Sequence, residues 1–156
     1  MSQELGISMS EAKELIGTYF NTYPGIRIYI DTLLETAREK GYVETLFGRR
    51  RMAYNLYSDN MNLQRAEERV LVNMPIQGTS ADMTKLAMAN LRPNLQPLTK
   101  AWLVNAIHDE LVVECEAADA PDVAKILQEA MVSAGRSLLP DIPIEVDVTT
   151  GLTWSK

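Results

Sequence analysis

A chain of 156 residues with 46% apolar content is long enough for one domain with a core, and its 21 acidic against 15 basic residues give a net charge of −6. That balance excludes a protein that grips nucleic acid by bulk attraction, because phosphate contacts need clustered cations. No window approaches the roughly 18 apolar residues of a membrane span, the opening Met-Ser-Gln-Glu-Leu-Gly lacks the basic and apolar stretches of a secretory leader, and a lone Cys115 excludes an intrachain disulfide. The expectation is a soluble, cytoplasmic chain in which Cys115 serves as a small buried hydrophobe.

Ser8 and Glu11 form a capping-box pair, and Ala12, Leu15, Ile16, Tyr19, Phe20 and Tyr23 recur at helical spacing, which predicts a first amphipathic helix over Met9 to Thr22. Pro24 restarts the chain. Ile26, Tyr29, Ile30, Leu33, Leu34 and Ala37 predict a second helix ending near Lys40, with Gly41 as its C-terminal glycine. Both stripes are most simply core. Tyr42 to Leu46, a Phe47-Gly48 turn and Arg49 to Ala53 read as a small hairpin. Residues from about Asn60 to Asn90 are helix-prone, with Pro75 expected to kink or split the helix, and Arg92-Pro93 and Gln96-Pro97 read as a loop. Trp102 to Ile107 and Leu111 to Cys115 are short and rich in β-branched residues, so they read as two antiparallel strands joined at His108, Asp109 and Glu110. Asp119 and Pro121 open a last helix with the stripe Val123, Ile126, Leu127, Ala130, Met131 and Ala134, and the alternation of Ile144, Val146 and Val148 with Glu145, Asp147 and Thr149 predicts a final strand. No repeat, low-complexity stretch or linker divides the chain, so residues 1–156 read as a single domain.

Three features carry chemistry. Adjacent acids at the tip of an apolar hairpin make a rigidly mounted set of oxygen ligands suited to a hard cation such as Mg²⁺, although an acidic turn is more often solvated punctuation. Arg69, Asn73 and Gln77 are four apart, so on a helix they form one polar stripe of donors, suited to the minor-groove acceptors that all base pairs share; a solvated helix face is the plainer reading. Arg49, Arg50 and Arg51 are contiguous and could hold phosphates or merely solvate a hairpin edge. His108 is the sole histidine and has one cysteine for company in the whole chain, so a zinc site is set aside.

The string Val104-Asn105-Ala106-Ile107-His108-Asp109-Glu110-Leu111-Val112, preceded by Asn73-Met74-Pro75-Ile76-Gln77-Gly78-Thr79-Ser80-Ala81-Asp82 and by Gly41-Tyr42-Val43-Glu44-Thr45-Leu46-Phe47-Gly48-Arg49-Arg50, resembles family A DNA polymerases. The order and spacing are those of the family's C-terminal palm and partial fingers, and the resemblance runs from about Ser2 to Trp154. It implies an α+β fold in which an antiparallel palm-type sheet with a central acidic hairpin packs against amphipathic helices. It also implies a part of a DNA-directed DNA polymerase, transferring nucleotides to a primer 3′ end under template direction. Asp109 then corresponds to a metal-binding catalytic aspartate that bridges two Mg²⁺ ions, and Glu110 to an auxiliary catalytic carboxylate. Arg69, Asn73, Gln77 and His108 correspond to residues that touch the primer-template minor groove, and Arg49 and Arg50 to positions that hold structure or approach the DNA backbone. The partners implied are primer-template DNA, deoxynucleoside triphosphates and the remainder of the polymerase, since the family's other metal-binding aspartate, in a strand reading approximately Asp-Tyr-Ser-x-Ile-Glu, and its nucleotide-binding fingers helix have no match here. The isolated chain, an expression fragment or one part of a split enzyme, is expected to be inactive. The alternative is a DNA-binding fragment without chemistry of its own; a phosphohydrolase using Asp109 and Glu110 lacks the further acids such sites need.

Overall fold

The computed structural model describes residues 6–154. Its elements in chain order are α1 (Met9–Thr22), α2 (Pro24–Lys40), β1 (Tyr42–Glu44), β2 (Arg50–Met52), α3 (Met61–Leu95), β3 (Ala101–Ile107), β4 (Glu110–Cys115) and α4 (Ala120–Leu138). The mixture is α+β, with the strands in two antiparallel hairpins, β1–β2 and β3–β4. Contacts divide the chain into two compact units, one of residues 1–44 and 50–74 and one of residues 45–49 and 75–156.

In the first unit, Ser8 begins α1 as read from sequence: its Oγ accepts from Glu11 N at 3.2 Å while Glu11 Oε2 accepts from Ser8 N at 2.8 Å. Those bonds hold the Glu11 carboxyl below its usual range. Gly41 ends α2 with φ 77°, a left-handed turn that a Cβ disfavours. The core here is Ala37, Val43, Leu56 and Leu71, with Leu33, Leu34, Ala53 and Met74 against it. The α1 stripe, however, is not core: among its residues only Ala12 is buried, and Leu15, Ile16, Tyr19 and Tyr23 stay exposed. Helical periodicity identifies the apolar face and says nothing of what covers it.

In the second unit, Leu91, Leu95, Ala101, Val123 and Ala130 pack between the end of α3, β3 and α4, and a second cluster joins Ala87 of α3, Leu111 of β4 and Ala134 of α4. Three expectations are corrected here. First, α3 is not split at Pro75 but is assigned as helix through it, since a proline removes one backbone donor while neighbouring turns keep theirs. Second, α3 continues through Pro93 to Leu95, where the loop was expected; Asn94 Nδ2 donates to Asn90 O at 2.8 Å and supports the last turn. Third, residues 143–150 form no strand. Ile144, Val146 and Val148 do alternate half-buried with exposed neighbours, but no ladder partner pairs with them among the described residues, and a segment without one is not a strand.

No helix among the described residues is long and apolar enough to cross a membrane. Leu71 and Leu91 are at most 1% exposed, one in each unit. Replacing either by alanine is expected to lower stability by about 2–5 kcal/mol, read by urea denaturation. Cys115 packs against the Leu91 cluster, where burial and, after it, the Asp119 carboxylate push its thiol pKa up. A raised pKa leaves less thiolate at pH 8, so iodoacetamide is expected to alkylate Cys115 more slowly in the folded chain than in urea.

Candidate active site

The acidic hairpin is set by its register. β3 and β4 pair Leu103 with Val113 and then Asn105 with Val112, so Val104 is an extra residue on β3, a bulge. Carried on without the bulge, the first register would pair Ala106 with Glu110 and leave a three-residue loop. With it, Ile107 pairs with Glu110 and only His108 and Asp109 remain between the strands. His108 takes φ 56°, the left-handed conformation that a two-residue loop demands and that histidine tolerates better than most side chains. Two contacts fix the hairpin to the helices. Leu111, 6% exposed, sits among Ala87 and Ala134, and Thr84 Oγ1 of α3, bonded to Ser80 O at 3.1 Å, also reaches His108 O at 3.5 Å.

The side chains of His108 and Asp109 are exposed, and Asp109 makes no hydrogen bond or ion pair among the described residues. Its carboxylate oxygens are therefore open to an added ligand. Glu110 is half-buried, and its Oε1 accepts from Trp154 Nε1 at 2.8 Å. No group of three His, Cys, Asp or Glu side chains among the described residues could hold a metal ion. The chemistry of the donor set fits a hard cation as far as it goes: one free carboxylate, which must be joined by ligands from elsewhere.

Gln77 is exposed on the first turn of the same unit's stretch of α3. The turn after it is clasped by the 45–49 loop. Thr45 N donates to Arg49 O at 3.0 Å and Gly48, at φ 78°, closes the loop on Thr45 O. Asp82, its side chain 11% exposed, accepts from Thr45 Oγ1 at 2.8 Å and from Arg49 Nε at 3.0 Å. Arg49 Nη2 donates to Gly78 O at 2.9 Å, and buried Thr79 accepts Leu46 N at 3.1 Å. Asp82, Thr45, Thr84 and Trp154 were not singled out from sequence, because a polar residue within a matched string or a lone tryptophan carries no periodic or spacing signal.

In the first unit, Arg69 and Asn73 are exposed without ion pair or hydrogen bond among the described residues, and with Arg65 and Glu68 they line a groove of about 380 Å³. Arg50 stacks on the Tyr42 ring at 4.4 Å and pairs with Glu44 at 3.3 Å. Arg51 lies 3.9 Å from Glu67, a carboxylate only 6% exposed that also accepts from Asn55 at 3.4 Å. The contiguous arginines are thus each engaged within the protein. The residues read from sequence fall in both units: Arg50, Arg69 and Asn73 in the first, Arg49, Gln77, His108, Asp109 and Glu110 in the second.

The family model for DNA polymerase family A matches residues 1–156. The chain belongs to that family. Among curated family A relatives, it is 44% identical over 154 residues to the thermostable DNA polymerase I of Thermus filiformis, which covers 99% of this chain and 18% of that protein. It is also 44% identical over 154 residues to DNA polymerase I of Deinococcus radiodurans, covering 99% of this chain and 16% of that one. The family A chain thus spans under a fifth of the length of these relatives. Its structure is similar to the POL domain of Pol1 from M. smegmatis in complex with DNA primer-template and dNTP, with a TM-score of 0.79 and 34% identity, over 85% of this chain and 24% of that one.

The clasp around Asp82 generates a direct test. Asp82→Ala removes one acceptor from Thr45 and the partner of Arg49, and is expected to lower stability by about 1–3 kcal/mol, with Thr45→Val costing less. Urea midpoints measure both; a change of only a few tenths for Asp82→Ala would mean that the clasp contributes nothing.

Proposed function

We propose that the chain is the palm and partial fingers portion of a DNA-directed DNA polymerase, and that its two units work as one portion of that enzyme. The observation that carries this reading is Asp109: a free carboxylate on a two-residue turn, in a chain matched over its whole length by the family A model. Mg²⁺ ions, when bound, neutralise charge on the phosphate oxygens and hold the attacking and leaving oxygens in line. Asp109 would be one ligand to two such ions. Glu110, tethered by Trp154, would serve beside them without being the principal ligand. Gln77 and His108 in one unit, and Arg69 and Asn73 in the other, would donate to minor-groove acceptors near the primer end, which are placed alike in every correct pair. Arg50 stands as a candidate backbone contact. Arg49, with its Nε and Nη2 both engaged, fits better as a residue that holds structure.

The partners of this reading are primer-template DNA, deoxynucleoside triphosphates and the rest of the polymerase. Support for the first two comes from the M. smegmatis structure, whose POL domain carries primer-template and dNTP. Support for the third comes from uncovered apolar surface. Trp102, Leu103 and Val104 of β3 are exposed on a strand paired along one edge only, and α1 exposes its stripe. Such an edge is an aggregation liability unless something covers it. A cytoplasmic setting belongs to the same reading, and the bacterial relatives support it.

The experiment places this chain in the Thermus filiformis polymerase in exchange for the stretch it matches. Asp109→Asn is expected to lower single-turnover incorporation by about two to three orders of magnitude with DNA affinity unchanged, and Glu110→Gln by about tenfold. Equal losses would sink the division between principal and auxiliary carboxylate. Full activity in Asp109→Asn would sink the polymerase reading itself. Gln77→Ala is expected to slow extension of matched termini of every sequence alike, to narrow the gap to mismatched termini, and to leave the salt dependence of DNA binding unchanged, since glutamine neutralises no phosphate. A primer whose terminal purine lacks N3 checks the contact: if wild type and Gln77→Ala lose the same factor on it, Gln77 does not touch the groove there.

A further inference from the structure

The segment after α4 pairs with no strand among the described residues, and it is nevertheless held at several points. Gly135 provides a notch in α4: a Cβ there would fall 2.8 Å from Ile144 Cγ2, nearer than real Cβ contacts approach, and 3.0 Å from Cγ1. Ile144, Val146 and Val148 lie half-buried on one side of the segment. Between them, Gln128 Nε2 of α4 donates to Val146 O at 3.1 Å, satisfying a carbonyl that no strand partner takes. The chain then bends at residues 152–153 and Trp154 Nε1 meets Glu110 Oε1 at 2.8 Å, across 44 residues of sequence.

We propose that residues 141–154 form a strap that positions the Glu110 carboxylate, with Trp154 as the positioning residue and Gly135 as the notch that seats the strap. The inference rests on the palm reading above. Glu110 opens β4 directly after Asp109, and its long side chain, left free, would swing among rotamers beside the open carboxylate. A lysine or arginine could hold it, but would bring a positive charge into a place meant for a cation. The indole N–H is a donor that carries no charge and cannot itself accept or ligate. It fixes one oxygen of Glu110, leaves the other free, and leaves Asp109 untouched. The strap thereby accounts for the unequal roles of two neighbouring acids.

The test compares the two indoles of the full chain. Trp102 is 54% exposed and Trp154 50%, and Trp102 Nε1 has no acceptor among the described residues, so Trp102 serves as an internal reference. Hydrogen exchange of the Trp154 indole N–H, followed by NMR, is expected to be about fivefold slower than that of Trp102. Glu110→Ala should abolish the difference. So should Gly135→Ala, by lifting Ile144, and the double variant Gly135→Ala/Ile144→Ala should restore it by making room. Equal rates in the wild type, or protection that survives Gly135→Ala, would overturn the strap. Gln128→Ala gives a milder version of the same loss should Gly135→Ala fail to fold. In the exchanged polymerase, Trp154→Phe should lower the maximal incorporation rate by the same factor as Glu110→Gln, with DNA affinity unchanged and the double variant no worse than either. A full rate in Trp154→Phe would overturn the positioning role. Were Asp109→Asn also fully active, the palm reading would fail, while the exchange result would stand or fall by itself.

Discussion

The structure depends on the register of one hairpin. A strand pair repeats every two residues, so a slip of one residue turns every side chain to the other face. On β4 that choice is made by Leu111, which must enter the cluster of Ala87 and Ala134. On β3 it is made by Ala101, which belongs to the cluster of Leu91 and Val123. The two anchors are reconciled by the bulge at Val104, which absorbs the odd residue and leaves a loop of only His108 and Asp109. A two-residue loop has almost no conformational slack, and the left-handed φ of His108 is the consequence. Asp109 is thus mounted on a support whose position derives from two helices, α3 and α4, rather than from a flexible tip.

On the polymerase reading proposed above, an acidic chain must still meet DNA through local surfaces. The four helices carry ten acidic and ten basic residues, so the net charge of −6 falls outside them, and what decides local function is where cations lack internal partners. Arg49, Arg50 and Arg51 look like a phosphate patch when written in a row. In the fold they serve Asp82, Glu44 and Glu67 in turn. Arg69 and Asn73, unremarkable in composition, are among the groups whose donors are left free in the described residues. Sharing an arginine between an internal carboxylate and a DNA phosphate weakens both contacts, so the unengaged donors are the ones best suited to an external acceptor.

Local signals in the sequence suffice where a single short-range interaction decides the outcome. The Ser8–Glu11 box and the Gly41 cap depend on residues within four positions of one another, and each forms as expected, whereas the acidic hairpin takes Glu110 into β4 instead of leaving it at the bend. What needed the third dimension was different in kind. The α1 stripe has the right period but no cover, because periodicity reports a face and not its partner. Residues 144–148 alternate as a strand would, yet the alternation is produced by packing on α4 through Gly135 and Gln128. Arg92-Pro93 reads as a loop, yet one missing donor in the last turn is tolerated there and the helix runs on to Leu95. The proposed roles of Asp109 and Gln77 rest on motif order, whereas Asp82 and Trp154 meet partners 33 or more residues away and leave no local trace.

The central claim is that this chain presents one acid of a metal site whose other acids lie outside it. Templated primer extension with Mg²⁺ measures that most directly, comparing the rigorously purified chain with the same 156 residues joined to the remainder of the Thermus filiformis polymerase. The account requires no detectable nucleotide incorporation by the chain alone and clear extension by the joined protein, lost again on Asp109→Asn. Templated extension by the chain alone would contradict it, because a single free carboxylate cannot hold the ions that the reaction needs.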